Sequence, residues 1–158
     1  MDNGPYDRLT AFGNQLIDTH LRIREQLDRL RDGGELDADL RTHCLTFCSV
    51  LTRHHEAEDA GAFPVLAREY PQLRPVLDEL ARDHVLVADA MRELTHLLDG
   101  PAGDVDVGRQ IDTLAALLET HLLYEEKKIV AALNDLRPEP ADVAALTRAT
   151  TLPTGADR

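Results

Sequence analysis

Histidine and glutamate recur in this chain in a fixed order. His54 and Glu58 stand four residues apart, as do His121 and Glu125, and each pair follows one further histidine: His20, 34 residues before His54, and His84, 37 residues before His121. Imidazole nitrogens and carboxylate oxygens are ligands that iron, zinc and manganese accept. Four residues is a little more than one helical turn, so each His-x-x-x-Glu sets both side chains on one face, about 40° apart. Six such ligands are too many for one tetrahedral zinc. They suit two metals about 3–4 Å apart, with Glu58 and Glu125 as bridges. At about six positions per iron, two bridging carboxylates fill four, the four histidines fill four and an oxo or hydroxo bridge fills two, leaving about two for water, O2 or peroxide.

The elements that must carry these residues read as helices. Apolar residues recur at spacings of three and four, and strict alternation is absent. A segment over 6–31 places Leu9, Gly13, Leu16, His20, Ile23, Leu27 and Leu30 on one stripe and stops at Asp32-Gly33-Gly34. A second, over 37–60, carries Leu40, Cys44, Phe47, Leu51, His54 and Glu58; Phe63-Pro64 then predicts a short helical turn or corner. A third, over 72–98, carries Leu77, Leu80, His84, Val87, Met91 and Leu94 and closes at Asp99-Gly100-Pro101. A fourth, over 105–135, carries Ile111, Leu114, Leu118, His121 and Glu125 and ends before Arg137-Pro138. Four amphipathic segments with short connections predict an all-α fold, an up-and-down antiparallel four-helix bundle. The bundle occupies 1–137. The tail, 138–158, carries the pattern of a short helix over 140–149 and a loose end from Pro153.

In every segment the histidine occupies a stripe position, where an apolar residue would otherwise stand. Two buried carboxylates without partners cost several kcal/mol each or must take up a proton. A cation between them removes that cost. Counted along the helices, His84 and His121 fall at one height, whereas His20 and His54 differ by about one turn, within the reach of a helix offset. His55 lies about 100° from His54 and is expected at the flank of the helix, with direct ligation as a substitute fifth histidine the alternative, and Tyr124 and Glu126 adjoin Glu125; these three are candidates for a supporting role around the ligands. Glu56 and Asp59 read as solvated, and Cys44 and Cys48 as buried thiols. The chain has one Glu-x-x-His of the ferritin type, Glu93 to His96, but Glu93 points about 180° away from His84, which excludes that reading.

The bulk numbers agree. At 158 residues the chain can bury a sizeable core. A net charge of −12 argues against nucleic acid and anionic membranes as partners. No apolar run approaches the ~18 residues of a membrane span, and the first residues lack a signal-peptide layout, so a cytoplasmic location is expected.

Taken together, His20, His54-x-x-x-Glu58, His84 and His121-x-x-x-Glu125, with Phe63-Pro64 after the second helix, resemble the haemerythrin-like (HHE cation-binding) family over roughly residues 6–135. The resemblance implies a four-helix bundle around a non-haem di-iron centre: two iron ions, oxo- or hydroxo-bridged, for which zinc or manganese could substitute. Members include oxygen carriers, oxygen or redox sensors, iron-responsive domains and proteins of peroxide or nitric oxide handling. Oxygen carriers resemble one another in having two histidines one turn apart on the third helix, but here Leu80 and Ala88 flank His84. They also place an Asp five residues after the last histidine, whereas here helical phase favours Glu125 over Glu126. Without that fifth histidine one iron is less shielded, which points away from simple oxygen storage. The expected function is therefore binding or reduction of a small oxidant (peroxide, O2 or NO), with catalase-like chemistry first. A gas- or iron-sensing or oxygen-binding module, and a di-iron oxygenase acting on a small metabolite, are the alternatives.

Overall fold

A computed structural model describes residues 11–33 and 36–152; Leu9, the start of the first segment and the end from Pro153 lie outside the described residues. Among the described residues the chain is all-helical. Four long helices, α1 (Phe12–Arg31), α2 (Ala38–Ala57), α4 (Arg74–Asp99) and α5 (Asp104–Asp135), form the bundle. A π-helical turn, Glu58–Ala62, continues α2 into the short α3 (Phe63–Glu69), which is where Phe63-Pro64 predicts a corner. A 3-10 turn, Pro71–Leu73, leads into α4, and α6 (Pro140–Thr150) packs outside the bundle.

Local signals account for the boundaries. The Asp37 side chain caps α2 by accepting from the Leu40 N–H at 2.8 Å, supplying one of the partners a helix N-terminus lacks. Asp104, in the first turn of α5, accepts from the Leu36 N–H at 2.9 Å and so ties the α1–α2 connection to the start of α5. Prolines stand in the first turns of α3, α4 and α6, where a missing N–H costs nothing.

The core is two apolar clusters with a polar layer between them. Each long helix passes from one cluster to the other at its ligands. On α1, Leu16 belongs to the first cluster and Ile23 to the second, with His20 between; on α4, Leu80 and Val87 flank His84 in the same sense. The order reverses on α2, where Leu51 precedes and Ala62 follows His54 and Glu58, and on α5, where Leu118 and Leu122 precede and Ile129 follows Glu125. The alternation is the antiparallel, up-and-down topology written in side chains. Gly13 lets α1 approach α5 closely, since a Cβ there would run into the Val130 carbonyl and the Asn134 side chain.

α6 closes the side formed by α1, α2 and the π turn. Leu146 and Ala149 are fully buried, the Thr19 hydroxyl donates to the Thr150 carbonyl at 2.7 Å, and Gly61 of the π turn faces Ala145. Among the described residues no helix is long and apolar enough to cross a membrane.

Candidate metal centre

All six sequence-predicted ligands meet in the polar layer, and a seventh residue joins them. His20, His54, Glu58 and Glu125 present ligand atoms within 4.8 Å of one another; so do His55, Glu58, His84 and His121. Glu58 belongs to both groups. All seven side chains are buried. The one-turn mismatch in height between His20 and His54 is absorbed by the helix offset, leaving their rings 5.5 Å apart.

His55 differs from its expected place at the helix flank. It is 4% exposed and its ring stacks on that of His84 at 3.9 Å. At this level α4 and α5 bring the His84 and His121 rings against His55, so two adjacent residues of α2 both face inward. The π turn that begins at Glu58 reinforces this: it holds more residues per turn than an α-helix and widens the inward face, as such turns do at functional sites. The third helix contributes a single histidine, and the fifth imidazole of the layer comes from α2.

Carboxylates hold the outer nitrogens of three rings. His20 Nδ1 lies 2.7 Å from Glu126 Oε2, His84 Nδ1 2.9 Å from Asp59 Oδ1, and His121 Nδ1 3.1 Å from Asp83 Oδ2. An imidazole that donates from Nδ1 leaves its Nε2 lone pair free for a metal, with the ring orientation and tautomer fixed. Glu126 is itself steadied by Arg24, whose guanidinium reaches it at 3.0 Å and also pairs with Glu119. Asp59, read from sequence as solvated, is half-exposed yet bound to His84; Asp83 and Arg24 drew no attention in the sequence. The available signal was an acidic residue directly beside a ligand, Asp59 after Glu58 and Asp83 before His84. Tyr124 turns outward, its hydroxyl donating to Glu79 and its ring lying under the Lys128 ammonium at 5.6 Å, so the phenol does not reach the layer.

The inner atoms have no such partners. His20 Nε2, both nitrogens of His54, His55 Nε2, His84 Nε2, His121 Nε2, Glu58 Oε1 and both oxygens of Glu125 are buried without a hydrogen bond. Unsatisfied buried polar atoms are rare in proteins, and here one or more from each of the seven residues fall in the same layer. Electrostatics reflect the same crowding. Burial pushes the Glu58 carboxyl well above its usual range, and the neighbouring Glu125 charge pushes it further. Burial drives His54 down to about 3 and His55 well below the usual imidazole value. Burial lowers His20 as well, but Glu125 and Glu126 more than offset it and leave its pKa raised. Neutral imidazoles and buried carboxylates are the donor set of a cation site, and these residues fit two cations sharing Glu58.

Compared with known families, residues 13–133 match the Hemerythrin HHE cation binding domain, well over half of the chain. The chain belongs to this hemerythrin family. No curated protein and no solved structure matches it. As an HHE cation-binding domain, it has a bundle flanked by a short C-terminal helix and buried His/Glu clusters consistent with a di-metal site.

Proposed function

We propose that this HHE domain is a non-haem di-iron protein that binds or reduces a small oxidant (peroxide, O2 or NO), with peroxide breakdown the favoured activity. The observation that carries the reading is that seven residues bring eight unpartnered buried nitrogen and oxygen atoms, His54 Nδ1 left aside, to one layer between two apolar clusters. When bound, a pair of irons supplies reversible one-electron redox chemistry at two adjacent centres. The protein's part is to hold the ligands, exclude bulk water and set proton positions. His84 and His121, fixed by Asp59 and Asp83, and the stacked His55 enclose one side with three imidazoles. The other side has two imidazoles and both carboxylates, and it is the side we assign to the small ligand. Glu126, hydrogen-bonded to His20 and held by Arg24, keeps a proton acceptor one ring away from that side.

Metal analysis with an optical spectrum of the purified protein tests this. Iron bound at both sites, with near-ultraviolet absorption of a bridged pair and oxygen release from peroxide, is the expected result; a single zinc overturns it. A second reading, reversible oxygen binding, gains from the fifth imidazole: His55 supplies on α2 what the third helix lacks, so the less-shielded iron expected from the sequence is not what the geometry favours. A spectrum that changes with O2, reverses on degassing and is lost in His55→Leu would favour this reading over catalysis.

A further inference from the structure

The π turn that carries Glu58 is backed by a helix outside the family match, which ends at residue 133, whereas α6 runs from Pro140 to Thr150. Glu58 sends its carboxylate into the polar layer, while Gly61, three residues on in the same turn, faces α6. A Cβ on Gly61 would stand 3.1 Å from the Ala145 Cβ and 3.2 Å from the Ala145 carbonyl oxygen, closer than such atoms normally pack. Glycine is a poor residue for the interior of a helical turn. The Gly61 backbone is not in the left-handed region, so its conformation does not call for glycine; the approach of α6 does. The turn is closed by the Phe63 N–H donating to the Glu58 carbonyl, so a push at Gly61 reaches Glu58 within one hydrogen-bonded ring.

α6 is itself held at both ends. At its end, the Thr150 carbonyl accepts from the buried hydroxyl of Thr19, the residue before the ligand His20. Near its start, Asp142 pairs with Arg68 of α3. Between these anchors, Leu146 and Ala149 share an apolar cluster with Ala62, Phe63 and Leu66. We propose that α6 is a positioning clamp for the metal centre: through the Ala145 contact with Gly61 it fixes the π turn, and with it the Glu58 carboxylate that both ligand groups share. Ala145 and Gly61 are positioning residues, since they act through Glu58 and touch no ligand atom. A functional constellation must be held to within about 0.5 Å. A methyl group on Gly61 forces a shift of a few tenths of an ångström in the turn or in α6, and α6 is the anchored partner. The inference rests on the metal-centre reading, because Glu58 has a position to keep only if it binds cations.

Competitive chelator titration of the full-length protein loaded with ferrous iron tests it, beside denaturant midpoints of the metal-free proteins. Gly61→Ala should weaken both metal-binding steps about tenfold, the lower end of the range for losing an orienting partner, and Gly61→Val should weaken them further. Alanine favours a helix over glycine, so helix propensity alone predicts no such loss. Adding Ala145→Gly to Gly61→Ala makes room for the methyl group and should recover most of the lost affinity. Variants with the affinity of wild type overturn the clamp, by showing that α6 yields and the turn does not. A loss confined to one step overturns it too, because Glu58 serves both groups, and so does a loss that Ala145→Gly leaves unrelieved. Wild type that takes up no iron overturns the metal-centre reading itself, and that failure is visible before any variant is compared.

Discussion

The two ligand groups share Glu58 but are built differently. One has three imidazoles, two of them oriented by half-exposed aspartates; the other has two imidazoles and an additional carboxylate, and among the described residues one of its rings, His54, makes no hydrogen bond. Each group offers four residues. The one with more neutral donors and fixed rings would hold its cation by oriented lone pairs, and the one with fewer rings and more anionic oxygen would hold it through charge. The largest expected effect follows from the shared residue. Glu58→Met should abolish loading of both groups, whereas Glu125→Met should leave an ion on the His55, His84 and His121 side. Metal analysis of the two variants side by side distinguishes them, and equal losses would refute the asymmetry. The metal-free Glu58→Met protein should be more stable than metal-free wild type, by about 1–4 kcal/mol, because an apolar side chain of similar shape replaces a buried, unpartnered carboxylate.

The pH dependence of the metal-free chain is the next effect in size. His54 and His55 are held neutral by burial, so below their ordinary value of 6.5 the unfolded chain binds protons that the folded one does not, and stability falls as the pH falls. Glu58 acts oppositely: its raised pKa keeps a proton in the folded state that the unfolded state has lost above 4.5, so its contribution is lost as the pH rises. His20, also raised, loses its contribution as the pH rises above 6.5. Metal-free stability should therefore peak near pH 6.5, with limbs of about 1.4 kcal/mol per pH unit for each proton of difference. Loading both groups should flatten the alkaline limb, since the cations keep Glu58 ionised in the folded state. Denaturant midpoints measured across the range check both limbs. A metal-free chain with no alkaline loss would show that Glu58 is not held protonated.

The asymmetry between the groups was only half legible in the sequence. The six ligands were readable because each replaces an apolar residue on a helical stripe, a pattern local to its own helix. The bundle topology was readable for the same reason, since four stripes and short connections admit few arrangements. His55 was only partly readable, as a flank residue with ligation the alternative. An ideal helix turns it about 100° from His54, and the approach of α4 and α5, which bring the His84 and His121 rings against it, makes that arc an inside face. The aspartates were hidden for a related reason: an acidic residue beside a ligand looks solvated until the neighbouring helix brings an imidazole to it. The role of α6 was equally hidden, because a short helix after a proline break gives no sign of which face of a bundle it will cover.

The smallest expected effect concerns the groups that orient the rings. Glu126→Gln keeps an oxygen that can accept from His20 Nδ1 but removes the charge that Arg24 pairs with, whereas Asp59→Asn does the same at His84 without a buried arginine behind it. Loss of such an orienting carboxylate typically costs about 10–100-fold in metal affinity. Glu126→Gln should fall at the upper end of that range. Arg24 is about four-fifths buried and loses one of its two carboxylate partners, while the half-exposed Asp59 is screened by water. The two losses should also separate by group: Glu126→Gln weakens the His20 and His54 side, and Asp59→Asn weakens the side with three imidazoles. Competitive chelator titration resolves the two steps. If both variants weakened the same step, the cations would be coupled through Glu58 so tightly that the protein loads them as one unit, and the division into an imidazole-rich side and a carboxylate-rich side would describe the ligands without describing their energetics.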